Sequence, residues 1–242
     1  MSAAKPYYER DGIVIYHGDA REVLSLLEGE GRRFQTVLTD PPYGVSLGEK
    51  SRSGHTSLER QNRGMTRHGN DGYTQFDDTR EYVQDVVVPV VEACRAVSDR
   101  VAVTPGTHNT WLYPEPEAIM AIHYPAGAGR GRWRTFNCWS PVLCYGKSPQ
   151  HAGSYPNVFT TTESAEANGH PCPKPERLWR TLLARFSRPG DLVLDPFMGS
   201  GTTLRVAKDL GMSAIGIEIE ERYCEIAAKR LQQAVLPMEV AA

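Results

Sequence analysis

The sequence predicts an α/β protein whose mostly parallel sheet carries helices on both faces and an antiparallel strand at one edge. Three observations carry this expectation. Short apolar runs alternate with segments of helical spacing along most of the chain. The runs are apolar throughout, as strands buried on both faces are. Several of them end in a polar or acidic residue followed by a turn, the usual carboxyl end of a parallel strand.

Taken in order, Ile13 to Tyr16 reads as a strand ending in His17-Gly18-Asp19, followed by a helix from Ala20 to Leu27. Thr36 to Thr39 is a second apolar run, ending in Asp40-Pro41-Pro42-Tyr43. Residues 45–76 are rich in Gly, Ser, Arg and His with little apolar periodicity, so they read as a long loop. Helical spacing resumes over 79–97, where Pro89 is expected to kink or split the helix. Val101 to Val103 is a third strand. Phe136 to Trp139 and Pro141 to Tyr145 read as a pair of strands near the sheet edge, and 148–169 as loop. A helix over Glu176 to Phe186 precedes a strand over Asp191 to Asp195. Gly199-Ser200-Gly201 then turns into a helix from Thr202 to Leu210. A strand over Ala214 to Glu218 and a helix over Glu221 to Ala234 complete the pattern.

Whole-chain properties exclude several classes. At 242 residues with 40% hydrophobic and 23% charged residues, the chain suits one globular domain, residues 1–242, with 45–76 and 148–169 as inserted loops. A formal net charge of −2 offers no global basic field. The five cysteines, Cys94, Cys138, Cys144, Cys172 and Cys224, form no CxxC pair. That argues against a disulfide framework or zinc site and for reduced thiols in a cytoplasmic protein. No apolar stretch of about 18 residues offers a membrane span.

The strongest local signal is LVLDPFMGSGTT, residues 192–203. A buried strand ends in a carboxylate, and a glycine turn opens a helix, so backbone N–H groups face any ligand there. One strand later Glu218 supplies a second carboxylate, where dinucleotide folds hold ribose hydroxyls. A Walker loop needs a lysine after Gly201, and none is present. A nicotinamide site needs GxGxxG, and GSGTTL lacks the third glycine. S-adenosylmethionine has no pyrophosphate and carries a sulfonium and an amino group, which the acidic Asp195 suits better than it suits a phosphate.

Asp40-Pro41-Pro42-Tyr43 decides between these. An exocyclic amine of adenine or cytosine is a poor nucleophile, because its lone pair is delocalised into the ring. Asp40 and the Pro41 carbonyl are two acceptors for its N–H groups, with direction fixed by the prolines Pro41 and Pro42. Tyr43 offers a face for stacking a flipped base. Direct transfer of the methyl group to nitrogen needs neither a covalent enzyme intermediate nor a metal.

With these motifs, the chain resembles the amino-methylating DNA methyltransferases, in the permuted, beta-class arrangement that places DPPY before the cofactor loop. The matching segments are IVIYHGDA, TVLTDPPYG, WSPVLCYGK, HPCPKPERLWRTLL, DLVLDPFMGSGTT and AIGIEIE, in that order. The resemblance implies a Rossmann-like methyltransferase sheet, circularly permuted. It implies that Asp195, Phe197, Gly199, Ser200 and Gly201 line the methionine end of S-adenosylmethionine, that Thr202 also binds the cofactor, and that Glu218 binds the ribose. Asp19 would accept from the adenine amino group of the cofactor, and Lys174 and Pro175 would lie over it. His170 lies in the same segment, as a contact or as a plain loop residue. The strands ending at Asp195 and Asp40 should be parallel neighbours.

The implied partner is double-stranded DNA. Lys50, Arg52, Arg60, Arg63 and Arg67 stud the first loop, and Arg130, Arg132 and Arg134 surround Trp133, a mixture suited to phosphate contact and stacking. The gap at 148–169, where the resemblance places target recognition, is too short for an independent domain. The 45–76 loop then shares the reading, or a second subunit does, as in a homodimer. Asp40 favours adenine N6 over cytosine N4, where Ser is commoner, and over glutamine modification, where Asn is typical. A catalytically idle DNA-binding subunit is the reading from another class, and the intact Asp40, Tyr43 and glycine turn count against it. A companion restriction nuclease is left open.

Overall fold

The computed structural model describes residues 5–45, 78–127, 137–149, 153–163 and 174–233. Among the described residues, nine strands form one sheet: β1 (Tyr8–Arg10), β2 (Ile13–His17), β3 (Thr36–Thr39), β4 (Arg100–Val103), β5 (Ala118–His123), β6 (Trp139–Gly146), β7 (Val158–Thr160), β8 (Leu192–Asp195) and β9 (Ser213–Glu218). Their spatial order is β1-β2-β9-β8-β3-β4-β6-β5-β7. The five central strands, β2-β9-β8-β3-β4, are parallel, as expected. The antiparallel pairings lie towards the two edges, β1 on β2 and β6 between β4 and β5.

Alternation along the strands divides the core in two. Leu38, Val193 and Ala214 face α3 (Glu176–Phe186), α4 (Thr202–Asp209) and α5 (Glu221–Gln232). Val37, Leu194 and Ile215 face α1 (Ala20–Gly29) and α2 (Val88–Val97) on the other side. Each helix buries one stripe at helical spacing, such as Leu178, Trp179, Leu182, Leu183 and Phe186 of α3. The chain thus leaves β3 towards one face and β8 towards the other. The carboxyl ends of these neighbouring strands define a topological switch point, where open α/β sheets bind ligands. Thr36 pairs with Val193 and Val37 with Leu194, so the expected adjacency of these two strands is observed.

Pro89 does not end its helix. The turn Arg80–Tyr82, capped by the Thr79 hydroxyl, runs into a π-helical stretch, Val83–Val87, and on into α2. Pro89 has no N–H for the carbonyl of residue 85, and the wider turn, with Val88 N–H on the Val83 carbonyl, absorbs the mismatch.

The antiparallel end departs from expectation. Residues 139–146 are one strand rather than part of a pair, and β5 and β7 come from segments that carried no strand expectation. Pro141 sits inside β6 opposite Ala121, whose own N–H points the other way, to the Asn157 carbonyl at 2.8 Å. The missing N–H of Pro141 therefore falls beyond the end of the β4 pairing, at Val103–Leu143, and leaves no ladder bond unmade. Nearly all of the 45–76 loop, the Arg130–Arg134 cluster, His170 and Cys172 lie outside the described residues. Among the described residues, no helix is long and apolar enough to cross a membrane.

Candidate active site

At the end of β8 the chain turns through Pro196-Phe197-Met198-Gly199-Ser200-Gly201 into α4. Gly201 is left-handed, at φ 77°, and a Cβ there would stand 2.7 Å from that of Ala227. On the neighbouring strand, a Cβ on Gly216 would meet Met198 Sδ at 2.5 Å. Gly201 lets the turn approach α5, and Gly216 leaves room for the Met198 and Leu204 side chains. Ser200 and Thr202 are buried beside the turn, and Phe197 is half-buried against the α1–α2 side of the core. Arg230 of α5 binds the turn from outside, donating to the Ser200 carbonyl at 2.6 Å and pairing with Glu176 of α3 at 2.6 Å.

The two carboxylates flanking this turn differ in their engagement. Asp195 Oδ1 accepts from the Thr39 hydroxyl at 2.7 Å and the Phe197 N–H at 3.2 Å, and Oδ2 from Thr203 at 2.5 Å. Thr203 in turn accepts from the Trp179 indole at 3.0 Å. Asp195 thus ties β8 to β3, α4 and α3. Burial pushes its pKa up to about 6, against the pull of those donors, and the Asp40 charge adds to the rise. Glu218 Oε2 accepts from Gly199 N–H at 3.0 Å and Oε1 from Glu220 N–H at 2.8 Å. Burial raises its pKa to about 7, partly offset by these two N–H groups. A buried carboxylate that, among the described residues, takes neutral backbone donors suits a ligand carrying hydroxyls. Next along the sheet edge, Asp19 caps α1 through Arg21 N–H at 2.8 Å, and its carboxylate also pairs with the Arg21 guanidinium at 2.5 Å.

The second cluster stands at the end of β3. Pro41 is buried, and Pro42 and Tyr43 are half-buried. Asp40 Oδ1 accepts from the Tyr43 hydroxyl at 2.6 Å and from Thr104 at the end of β4. Its other oxygen, Oδ2, is ion-paired with Lys174. The same ammonium lies 3.2 Å from the Tyr43 hydroxyl and 5.2 Å from the ring centroid. Burial and the Asp40 charge push the Tyr43 pKa far up, so the phenol stays protonated and donates. Asn109 fixes the backbone, donating to the Tyr43 carbonyl at 2.7 Å, and Asp78 accepts from Gly44 N–H at 2.6 Å. Gly106 leaves room for the Tyr43 ring, since a Cβ there would stand 2.9 Å from Cγ. Pro175 is the N-cap of α3 and directs Lys174 into this cluster.

The fold therefore brings Asp40, Tyr43 and Lys174 together, and joins them to the glycine turn through the Thr39–Asp195 hydrogen bond. Thr104, Asn109 and Arg230 were not expected. Thr104 and Asn109 follow the third apolar run within a polar stretch, TPGTHNT, and that position at a strand's carboxyl end was the available signal.

A sheet of this order and direction is that of the methyltransferase fold. The structure aligns with the PvuII DNA methyltransferase (cytosine-N4-specific) at a TM-score of 0.64 and 17% identity, over 96% of this chain and 90% of that one. It aligns with M1.HpyAVI, in its SAM complex, at a TM-score of 0.59 and 20% identity, over 91% and 100% of the two chains. The sequence is 29% identical to the type II methyltransferase M2.DpnII of Streptococcus pneumoniae, over 94% of this chain and 92% of that one. The model of the N6/N4 DNA methylases matches residues 108–229, half of the chain. The protein belongs to that family of DNA methyltransferases.

Proposed function

We propose that the protein transfers a methyl group from S-adenosylmethionine to N6 of an adenine flipped out of double-stranded DNA, using a circularly permuted, beta-class arrangement of the methyltransferase sheet. The observation that carries this reading is the direct bond between the two clusters, Thr39 to Asp195, at the switch point. It supports this reading because an in-line transfer between two bound molecules requires the base-binding residues beside the cofactor turn.

The residues present fit that cofactor. Gly199, Ser200, Gly201 and Thr202 form a close-approach turn, with Phe197 beside it. Glu218 takes the ribose hydroxyls, and Asp19 accepts from the cofactor's adenine amino group. Asp195 acts by holding the turn to β3. S-adenosylmethionine supplies the electrophilic methyl group. Asp40 Oδ2 and the Pro41 carbonyl accept the two amine hydrogens, which returns the lone pair to nitrogen. Pro42 fixes the direction of that carbonyl, and Tyr43 stacks on the base while its hydroxyl holds Asp40 in place. Asp40, rather than Ser, supports adenine as the target. The similarity to type II methyltransferases supports a role in restriction–modification.

The test is expression in cells without endogenous DNA methylation, followed by sequencing with detection of modified bases. N6-methyladenine at one short motif, absent with Asp40→Ala, is expected. N4-methylcytosine would transfer the assignment to cytosine. Unmodified DNA beside well-folded protein would overturn the enzymatic reading.

A further inference from the structure

We infer that Lys174 is a stand-in for the target amine, and that the cofactor's positive charge displaces it, so that cofactor binding prepares the site for the base. This rests on the methyl-transfer reading above.

Asp40 has two oxygens, and the described structure divides them. Oδ1 is taken by the Tyr43 hydroxyl and Thr104, donors native to the site. Oδ2, which the amine needs, is covered by the Lys174 ammonium. That ammonium also lies 3.2 Å from the Tyr43 hydroxyl and 5.2 Å from the centre of its ring. An ammonium offers N–H donors to the carboxylate and a positive charge to the aromatic face. An exocyclic amine on a base stacked against Tyr43 needs the same Oδ2, so the two compete for one place. Both Lys174 and Asp40 side chains are 19% exposed, which makes the pair only weakly screened.

Methyl transfer requires the sulfonium and the amine to flank one carbon. The sulfonium therefore arrives beside the carboxylate that Lys174 neutralises. Two cations at that spacing repel, and either one satisfies the charge of Asp40. Lysine's flexible stem lets the head leave without moving α3. After transfer, sulfur is a neutral thioether and the repulsion is gone. Lys174 can then return to Asp40 and compete against the methylated base, which favours product release.

The experiment uses the full chain and DNA carrying the mapped motif, with 2-aminopurine replacing the base beside the target. Flipping is read by its fluorescence, and cofactor affinity by calorimetry. Sinefungin, which carries a positive amine in place of the sulfonium, should promote flipping about tenfold more than neutral S-adenosylhomocysteine, within the usual range of coupling between sites. Lys174→Met should reduce that difference to less than about twofold and permit flipping without cofactor, with cofactor affinity kept or increased. Lys174→Arg should retain the difference. If Lys174→Met fails to fold, Lys174→Gln gives the same readout. A neutral variant that keeps the sinefungin preference overturns the inference. So does one that loses cofactor affinity, which would make Lys174 a cofactor-holding residue. Wild-type protein that methylates no DNA removes the underlying reading and this inference with it, whereas methylation with unchanged coupling removes this inference alone.

Discussion

The ends of β8 and β3 lie side by side but are built differently. At the glycine turn the carboxylates take backbone donors, Gly199 and Glu220 N–H on Glu218 and Phe197 N–H on Asp195, beside the Thr39 and Thr203 hydroxyls on Asp195. The Asp40 cluster is assembled from side chains of three separate segments, contributing Asp40 and Tyr43, Thr104 and Asn109, and Lys174. Backbone donors cannot be exchanged without unfolding the turn, whereas side-chain partners can. On the proposed reading, the cofactor end is preformed, and the base end is held by groups that a substrate can replace.

The sharpest break of that comparison is Asp40→Ala. Methyl transfer should fall by about 10²–10³-fold or more, the cost of one well-placed electrostatic partner, while affinity for S-adenosylhomocysteine is retained. Near-normal turnover would mean that the β3 cluster does not hold the base. Next in size, Glu218→Ala should weaken S-adenosylhomocysteine by about 1.5–3 kcal/mol, as measured by calorimetry. An unchanged dissociation constant would remove Glu218 as the ribose acceptor.

A pH series sharpens the contrast further. Burial raises the Glu218 pKa to about 7. A carboxyl raised on folding costs no stability at pH values below its unfolded pKa, where both states are protonated. The cost grows as pH rises and is complete above about 7. Glu218→Gln should therefore gain thermal stability relative to wild type between pH 5 and pH 8. Wild-type affinity for the cofactor product should rise over the same interval and level off above 7, as the anion becomes the acceptor, and the Gln variant should show a flat profile. The smallest effect is expected for Arg230→Ala. Losing its bond to the Ser200 carbonyl should weaken cofactor binding by roughly 1 kcal/mol, about fivefold, with the base cluster untouched.

What was legible in the sequence follows the same division. Local patterns revealed the parallel strands, all five principal helices, the glycine turn and DPPY, because each is encoded within about ten residues. The bounds of α3, Glu176–Phe186, match the apolar spacing directly. The antiparallel end was not legible in this way. β5 shows no clean alternation, since Ala118 and Ile119 are both exposed, and β7 is only three residues long. Within the site, the partners of Asp40 come from positions up to 134 residues away, at Lys174, and no local pattern records such a contact. Thr39 was read as the last residue of a strand. Its role as the hydroxyl joining the two clusters depends on which strand lies next to it.

The neighbours at the centre of the sheet also set a schedule. Thr39 and Asp195 touch across 156 residues of chain. At a synthesis rate of about 5–20 residues per second, β3 leaves the ribosome roughly 8–30 seconds before β8 does. Through that interval β3 can pair with β4 on one side only, and β2 still lacks β9. The nascent chain thus presents two apolar strand edges in the middle of its future core, a form prone to pairing with other chains. The last quarter of the protein must arrive before the first can be protected, so a holding chaperone would matter most to this molecule while it is being made.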